Sequence, residues 1–213
     1  TQHGMEPERF SLADGTAAFI SEMELGLAGK PSSLDMIPTY LGFGTVEPGR
    51  RAAVIDAGGT NFRASSVYFA PGGAVIEPML EGAEGIGFCF SYRAEVTPER
   101  DGRVIRLSKG VDLDGCEGQL VCAGLRAALE RRGAAEKPCV MVNDTAAVLL
   151  AGVSDMREKG YDGLIGLICG TGLNTCCVLD TGRITKLGLP AGEKMLVNLE
   201  SGGFACWPAG DFD

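Results

Sequence analysis

Two glycine-rich turns, each between apolar runs, constrain the fold of this chain most strongly. Residues 55–61 read IDAGGTN and residues 168–174 read ICGTGLN, at an offset of 168 − 55 = 113 positions. Each segment has a short apolar run, a turn of Gly and Thr, and a second run of strand-forming residues, which predicts two β-hairpins. Two such hairpins can close on one ligand from opposite sides, although two unrelated glycine-rich hairpins would give the same match.

The remaining periodicity predicts an α/β fold, because amphipathic helices alternate with short apolar strands. Residues 31–50 are rich in Pro and Gly, which predicts a connecting loop. Helices are predicted over 10–29, 119–132 and 145–156, and strands over 52–56, 61–69, 74–80, 88–92, 104–107, 139–142, 164–169, 175–179 and 195–199.

Composition excludes several classes of function. The net charge is −9, so the chain lacks the basic surface that nucleic acid or an anionic membrane would need. No apolar run approaches the roughly 18 residues of a membrane span, and no signal peptide is visible, so we expect a cytoplasmic protein. The single histidine is His3, which argues against Ser-His-Asp, Cys-His and His-based zinc chemistry. The eight cysteines contain no C-x-x-C pair and are expected to be reduced, buried, small apolar residues.

Asp56 is the first candidate for chemistry, because it stands at a predicted strand end directly before glycines. Glycines let backbone N–H groups approach phosphate oxygens, and Thr60 adds a hydroxyl donor. Asp56 could hold hydrated Mg²⁺ against those phosphates. A plain β-turn that begins with Asp explains the same residues.

Asn143 and Asp144 are the second candidate, because they follow a buried strand and precede an apolar helix. Ligands of open α/β sheets gather at the carboxyl ends of strands, where Asp144 could accept a hydroxyl proton during group transfer. A simple helix N-cap accounts for the pair equally well. Weaker candidates are Gly170-Thr171-Gly172 with Asn174, Ser108-Lys109 and Glu200. Together these parts suggest phosphoryl transfer, which needs a phosphate cradle, an acceptor hydroxyl and a base.

The order of these motifs closely resembles the hexokinase/glucokinase family over about residues 10 to 207. Ile55–Arg63 and Leu167–Asn174 look like its two phosphate motifs, Val142–Thr145 like its base-bearing motif, Ser108–Gly110 like its Thr-Lys-Gly sugar segment, Val197–Phe204 like its Asn-x-Glu-Trp-Gly-Ala-Phe segment, and Met36–Tyr40 like the approach to its first strand.

The resemblance implies the actin-like ATPase fold, built from two RNase H-like subdomains. Residues 51–145 would form the small domain, residues 1–50 a helix and connector packing on the large domain, and residues 146–213 the first part of that large domain. Family members resemble this chain only over their first half. We therefore expect an N-terminal half that is inactive alone, with the remainder of an incomplete large domain on a second chain or removed.

The resemblance also implies a role for each matching residue. Asp144 would be the base that takes the proton of the 6-hydroxyl, with Lys109 as a second catalytic group. The hexose would be held by Ser91, Ser108, Lys109, Asn143, Asp144, Asn174 and Glu200. ATP would be held by Asp56, Gly58, Gly59, Thr60, Asn61, Arg63, Gly170, Thr171 and Gly172, with Asp56 binding Mg²⁺ through water.

Departures from the family pattern leave the hexose open. Ser91-Tyr92-Arg93 replaces Ser-Phe-Pro, and Ser201 replaces the Trp after the acidic residue, so glucose is the default and another hexose or a hexosamine is an alternative. The predicted function is ATP-dependent phosphorylation of a hexose at its 6-hydroxyl. The alternatives are a non-catalytic hexose sensor on the same fold, a different ATPase of that fold, and a phosphoryl donor other than ATP.

Overall fold

The predicted alternation of helices and strands is confirmed by a computed structural model. It describes residues 11–44, 47–58, 61–71, 73–77, 82–107, 113–170 and 172–206. The helices are α1 Leu12–Leu27, α2 Val121–Glu130, α3 Asp144–Ala151 and α4 Val153–Lys159. The strands are β1 Ile37–Pro38, β2 Arg51–Ala57, β3 Phe62–Ala70, β4 Gly73–Glu77, β5 Gly85–Phe90, β6 Arg93–Val96, β7 Gly102–Arg106, β8 Cys139–Val142, β9 Ile165–Cys169, β10 Leu173–Asp180 and β11 Lys194–Asn198.

A five-stranded mixed sheet has the order β4-β3-β2-β5-β8. The hairpin partners β2 and β3 are antiparallel, whereas β2, β5 and β8 run parallel to one another. The carboxyl ends of β2, β5 and β8 therefore lie at one edge of the sheet, which is where ligands of such sheets collect. The strands β6 and β7 form a separate two-stranded sheet between β5 and α2 in the chain.

A second, four-stranded antiparallel sheet has the order β1-β11-β10-β9. Its edge strand β1 lies in the segment that the sequence predicts to be a loop, and Ile37 pairs with Asn198 there. Met36 and Tyr40, on either side of β1, have positive φ angles of 47° and 53°. A two-residue strand between such residues has no readable periodicity, so the sequence gives no signal for it.

Helix α3 joins the two sheets, because it begins where β8 ends and packs on the four-stranded sheet. Its apolar face belongs to a buried cluster of Ala146, Leu149, Cys176 and Leu196. Gly166 in β9 permits this close approach, since a Cβ there would lie 2.7 Å from the backbone oxygen of Thr145. The first turn of α3 is therefore held directly over β9 and β10.

The start of α2 depends on a residue that is distant in the sequence. Its N-cap residue, Leu120, provides no side-chain hydrogen bond. The buried carboxylate of Asp101 accepts hydrogen bonds from the backbone N–H groups of Cys122 at 2.7 Å and Ala123 at 2.9 Å. These bonds satisfy two donors that a helix N-terminus leaves unpaired, so Asp101 performs the capping role from the β6–β7 hairpin.

Besides shifts of a few residues at element ends, two further sequence-based assignments differ from the structure. The helix predicted over 145–156 is divided at Gly152 into α3 and α4. The strand β6 is not among the predicted strands, because four residues are too few for the alternation of polar and apolar positions in RAEV to be recognised. Within the described ranges, no helix combines the length and the apolar character that crossing a bilayer requires.

Candidate active site

Three adjacent parallel strands bring the predicted polar residues to one edge. Asp56 in β2 is in register with Cys89 in β5, and Cys89 is in register with Val142 in β8. Neighbouring strands lie about 5 Å apart, so these three positions form a row about 10 Å long. Asn143 and Asp144 directly follow Val142. The structure therefore brings Asp56 and Asp144 to the same edge, as their places after predicted strands suggest.

Asn143 and Asp144 both bond the backbone at the start of α3, but one carboxylate oxygen of Asp144 remains for a ligand. The side chain of Asn143 is the N-cap of α3, and its Oδ1 accepts a hydrogen bond from the backbone N–H of Thr145 at 2.9 Å. Oδ1 of Asp144 accepts from the same N–H at 2.8 Å and from the Thr145 hydroxyl at 3.3 Å. Among the residues that the structure describes, no donor reaches Oδ2 of Asp144, so this oxygen can meet a ligand.

Asp56 and Arg63 face each other across the first hairpin. The two residues are paired in the antiparallel ladder, with Oδ2 of Asp56 and Nη1 of Arg63 3.9 Å apart. Their side chains are 38% and 71% exposed, so solvent screens this loose ion pair. A carboxylate oxygen is the ligand type that Mg²⁺ prefers. In the described part of the chain no three His, Cys, Asp or Glu side chains are grouped to hold a metal, so an ion at Asp56 would keep water ligands.

Both predicted hairpins are present. In the first, the Gly58 N–H donates to the carbonyl of Asn61 at 3.0 Å, and in the second the Gly170 N–H donates to the carbonyl of Gly172 at 2.9 Å. The turns differ in length, because Ala57 pairs with Phe62 but Cys169 pairs with Leu173.

That difference in length separates the two asparagines that match in the sequence. Asn61 lies in its turn, whereas Asn174 lies inside β10. The internal repeat of the sequence is therefore a repeat of chain order and not of residue geometry.

Asn174, Asn198 and Glu200 form a hydrogen-bonded cluster at the ends of β10 and β11. The Nδ2 group of Asn174 donates to Oδ1 of Asn198 at 2.8 Å and to Oε1 of Glu200 at 3.3 Å, and Nδ2 of Asn198 donates to Oε1 of Glu200 at 2.6 Å. Glu200 has a left-handed backbone with φ 55° and ψ 46°. Such a conformation is costly for a residue with a Cβ and is often found at functional sites.

Asn198 was not among the predicted site residues, although the Asn-x-Glu segment contained the signal for it. It is 3% exposed and bonds both of its predicted neighbours. It also pairs with Cys176, so Asn174, Cys176 and Asn198 share the face of the sheet that α3 covers. The cluster and the start of α3 therefore face each other.

Cys89 was expected to be a small buried apolar residue, and it is instead half-buried between the two carboxylates. Burial, the negative charges of Asp56 and Asp144, and a hydrogen bond with Asp56 raise the pKa of its thiol to about 12. The thiol therefore stays neutral at physiological pH and can donate a hydrogen bond to the carboxylate of Asp56. Only the register of β2, β5 and β8 reveals this contact.

Of the predicted site residues not yet placed, the structure describes Ser91. Ser91 is half-buried, and its backbone N–H donates to the carbonyl of Ala57 at 3.2 Å, so it adjoins the first hairpin. Five predicted site residues lie outside the described residues: Gly59, Thr60, Ser108, Lys109 and Thr171. Their roles stay predictions.

This geometry combines an ionisable carboxylate at a helix N-terminus, a second carboxylate beside a glycine turn, and a cluster of amides around a third carboxylate. The amides and the Glu200 carboxylate offer both donors and acceptors, which is what recognition of several hydroxyl groups requires. The arrangement suits transfer of an anionic group to a polyhydroxy acceptor.

Comparison with known proteins gives the same class. Two family models, both described as hexokinase, match residues 74–153 and 164–213. Hexokinase-1 of Oryza sativa subsp. japonica is 34% identical over 95% of this chain and 50% of its own length. Hexokinase-3 of Rattus norvegicus is 31% identical over 94% of this chain and 25% of its own length. The chain thus spans half or less of the length of these curated relatives.

A solved structure is similar at the level of the fold. A hexokinase from Schistosoma mansoni, complexed with glucose, superposes with a TM-score of 0.68 and 24% identity over 89% of this chain and 51% of that one. The two sheets and the helix between them are thus those of the actin-like ATPase fold, the class in which sugar kinases are found. Within that class, the chain belongs to the hexokinase family.

Proposed function

We propose that the protein containing this chain transfers the terminal phosphoryl group of ATP to the 6-hydroxyl of a hexose, with glucose as the default acceptor. The observation that supports this most directly is the shared edge of β2, β5 and β8, because Asp56 near the end of β2 and Asp144, which follows β8 at the start of α3, lie at this edge on either side of β5. A kinase needs one carboxylate near the phosphates and another near the acceptor hydroxyl, and this edge offers both.

Asp144 is the proposed general base. Oδ1 is fixed by two hydrogen bonds from Thr145, so the carboxylate is oriented while Oδ2 can accept the hydroxyl proton. The Asn143 side chain also accepts a hydrogen bond at the start of α3, so the helix cap does not depend on Asp144 alone.

The cluster of Asn174, Asn198 and Glu200 is the proposed hexose-binding surface, together with Ser91 and Asn143. The hydrogen bonds within the cluster fix both amide groups, which limits the entropy lost when a sugar binds. The roles proposed for Ser108 and Lys109 rest on the sequence motif. The glucose bound by the Schistosoma mansoni hexokinase supports a sugar as ligand here.

Gly58, Asn61, Arg63, Gly170 and Gly172 are proposed to surround the ATP phosphates, with the undescribed Gly59, Thr60 and Thr171. Asp56 fits a hydrated Mg²⁺ ion, because its carboxylate is partly exposed and only loosely paired with Arg63. When bound, MgATP supplies the phosphoryl group and the ion offsets phosphate charge. The Arg63 guanidinium supplies further positive charge from β3.

The division into residues 1–50, 51–145 and 146–213 is proposed with hinges near residues 50 and 145, where closure on the sugar would bring the two sheets together. A second chain carrying the C-terminal half is a proposed partner, and a cytoplasmic location is likewise proposed.

The direct test is to incubate that protein with MgATP and glucose and to identify the products by ³¹P NMR. We expect ADP and a hexose 6-phosphate in equal amounts, with ADP release that depends on the hexose. A matched incubation with 6-deoxyglucose, which lacks the acceptor hydroxyl, should give no sugar phosphate. Hexose binding without any ADP release would instead indicate a sensor and would contradict the proposed activity.

A further inference from the structure

The segment that follows β5 is bonded to the first hairpin by two successive hydrogen bonds. The Ser91 N–H donates to the carbonyl of Ala57 at 3.2 Å, and the Tyr92 hydroxyl donates to the carbonyl of Gly58 at 3.1 Å. The ladder between β2 and β5 ends where Ala57 pairs with Phe90. The two bonds therefore continue the contact between these strands into the glycine turn.

The Tyr92 ring is a rigid support for its hydroxyl. The residue is 8% exposed and packs against Phe90, with 5.2 Å between ring centroids and 55° between ring planes. A packed ring has little rotamer freedom, so its hydroxyl has a fixed place, and a buried tyrosine hydroxyl needs a polar partner. The Gly58 carbonyl is that partner.

Both backbone polar groups of Gly58, its N–H and its carbonyl, are consequently hydrogen-bonded. Its N–H donates across the turn to the carbonyl of Asn61 at 3.0 Å, and its carbonyl accepts from Tyr92. Because a peptide group is planar, fixing the carbonyl also fixes the orientation of the whole peptide group that contains it. The Tyr92 side chain, from the segment that follows β5, thus holds the carbonyl at the start of the first glycine turn.

We infer that Tyr92 is a positioning residue for the nucleotide phosphates, which acts by holding the Gly58 peptide group through its hydroxyl. The inference rests on the proposed hexose kinase activity. It also gives a reason for the tyrosine that stands where the family motif Ser-Phe-Pro has phenylalanine. Phenylalanine could pack its ring in the same place but has no hydroxyl to bond Gly58. The departure then concerns the nucleotide side of the site and not the choice of sugar.

The test is the substitution Tyr92→Phe in the protein that contains this chain. The substitution removes one hydroxyl and keeps the packed ring. We expect the KM for MgATP to rise about three- to tenfold, the net effect of losing one hydrogen bond. The KM for glucose and kcat at saturating MgATP should stay close to wild type, and the thermal midpoint should fall by no more than about 5 °C, since the ring remains in the core.

Tyr68→Phe is a matched control. Tyr68 lies at the other end of the same hairpin, paired with Arg51, whose guanidinium is 4.8 Å from the ring centroid. Its substitution removes the same atom and should leave both KM values unchanged. An equal rise in the KM for MgATP in both variants, no rise in Tyr92→Phe, or an equal rise in the KM for glucose would overturn the inference.

A binding measurement separates this inference from the activity on which it rests. Titration with MgADP, followed by calorimetry, should show weaker binding in Tyr92→Phe than in wild type by the same factor. Nucleotide binding by the wild type without phosphoryl transfer would overturn the kinase activity alone, and the comparison of the two affinities would still decide the role of Tyr92. A wild-type protein that binds no MgADP would overturn both.

Discussion

Arg93 forms a bidentate ion pair with Asp35: Nε donates to Oδ2 at 2.8 Å, and Nη2 donates to Oδ1 at 2.7 Å. Arg93 begins β6, whereas Asp35 precedes β1 of the four-stranded sheet. The Lys186 ammonium adds a bond to the backbone carbonyl of Asp35 at 2.9 Å. The pair therefore connects the segment after Tyr92 with the connector of the other sheet, at the position where the family motif has proline.

We predict that Arg93→Met lowers the free energy of unfolding by about 0.5 to 1 kcal/mol, because the Arg93 side chain is 53% exposed and solvent screens the pair. Arg93→Lys should recover only part of this, since lysine cannot make the two parallel bonds of the guanidinium. Urea unfolding at 50 mM and 500 mM NaCl measures both effects, and the effect of Arg93→Met should shrink at high salt.

Arg103→Met provides the control for that experiment. The Arg103 guanidinium donates to the neutral backbone carbonyl of Gly118 at 2.9 Å, so its loss should depend little on salt. A salt-independent effect of Arg93→Met, or full recovery by Arg93→Lys, would show that the bidentate pair does not stabilise the fold.

Asn198 offers a prediction for the sugar side of the site. Asn198→Ala removes one hydrogen bond from Asn174 and one from Glu200 and leaves these two residues only their mutual bond at 3.3 Å, so we expect a loss of about 1 to 3 kcal/mol in stability. The affinity for glucose should fall about tenfold, because the amide and carboxylate lose their fixed orientation. Calorimetric titration with glucose and urea unfolding measure the two effects.

The Ser201 hydroxyl lies 2.8 Å from that of Thr175 in the same segment, so Ser201→Ala disturbs a neighbouring hydrogen bond. It should cost some stability and leave the glucose affinity within about twofold of wild type. If Ser201→Ala weakened glucose binding as much as Asn198→Ala did, the cluster would have no special part in binding.

Cys89 gives a prediction for pH. Its thiol has an ordinary pKa of 9.0 in the unfolded chain and a pKa of about 12 in the fold, so the fold retains a proton that the unfolded chain loses. The stability that Cys89 contributes is complete below pH 9.0 and is lost as the pH rises from 9.0 through about 12. Cys89→Ala should therefore reduce the slope of stability against pH in this range.

The same thiol reports the charge of Asp56 without any need for catalysis. In Asp56→Asn the pKa of Cys89 should fall, so iodoacetamide should alkylate it faster at pH 8 than in the wild type. Mass spectrometry measures the rate, and the exposed Cys169 serves as an internal reference. Equal Cys89 rates in both proteins would mean that Asp56 does not act on this thiol.

Most of the strands and both hairpins could be predicted because their signals are local, whereas the short strands β1 and β6 were missed. Apolar runs that end in glycine or asparagine identify β2, β8 and β9, and the Asn-Asp pair after β8 indicates where α3 begins. The alternation of helices and strands predicted an α/β fold, and the resemblance of the motif order to the hexokinase/glucokinase family implied the actin-like ATPase fold. The oxygen of the Asn143-Asp144 pair that remains for a ligand was not predictable, because both residue types are suitable caps. The structure shows that both side chains bond the N–H of Thr145 and that Oδ2 of Asp144 is left.

Contacts between distant segments carried no comparable signal. Asp101 caps α2 from 20 residues away, since 121 − 101 = 20, and no spacing rule for helix ends includes such a partner. Cys89 looks apolar in a run of hydrophobic residues, and its contact with Asp56 follows from strand order alone. Tyr92 looks like a conservative replacement until its hydroxyl is seen beside Gly58.

The role of Asp144 as base is the central claim, and Asp144→Asn tests it most directly. Asparagine keeps the size of the side chain and an oxygen that can accept from Thr145, so the fold and the glucose affinity should stay near wild type. The rate of hexose-dependent ADP release should fall by about two to four decades, because the amide cannot take the hydroxyl proton. Unchanged turnover in Asp144→Asn, with glucose binding intact, would contradict the assignment of the base.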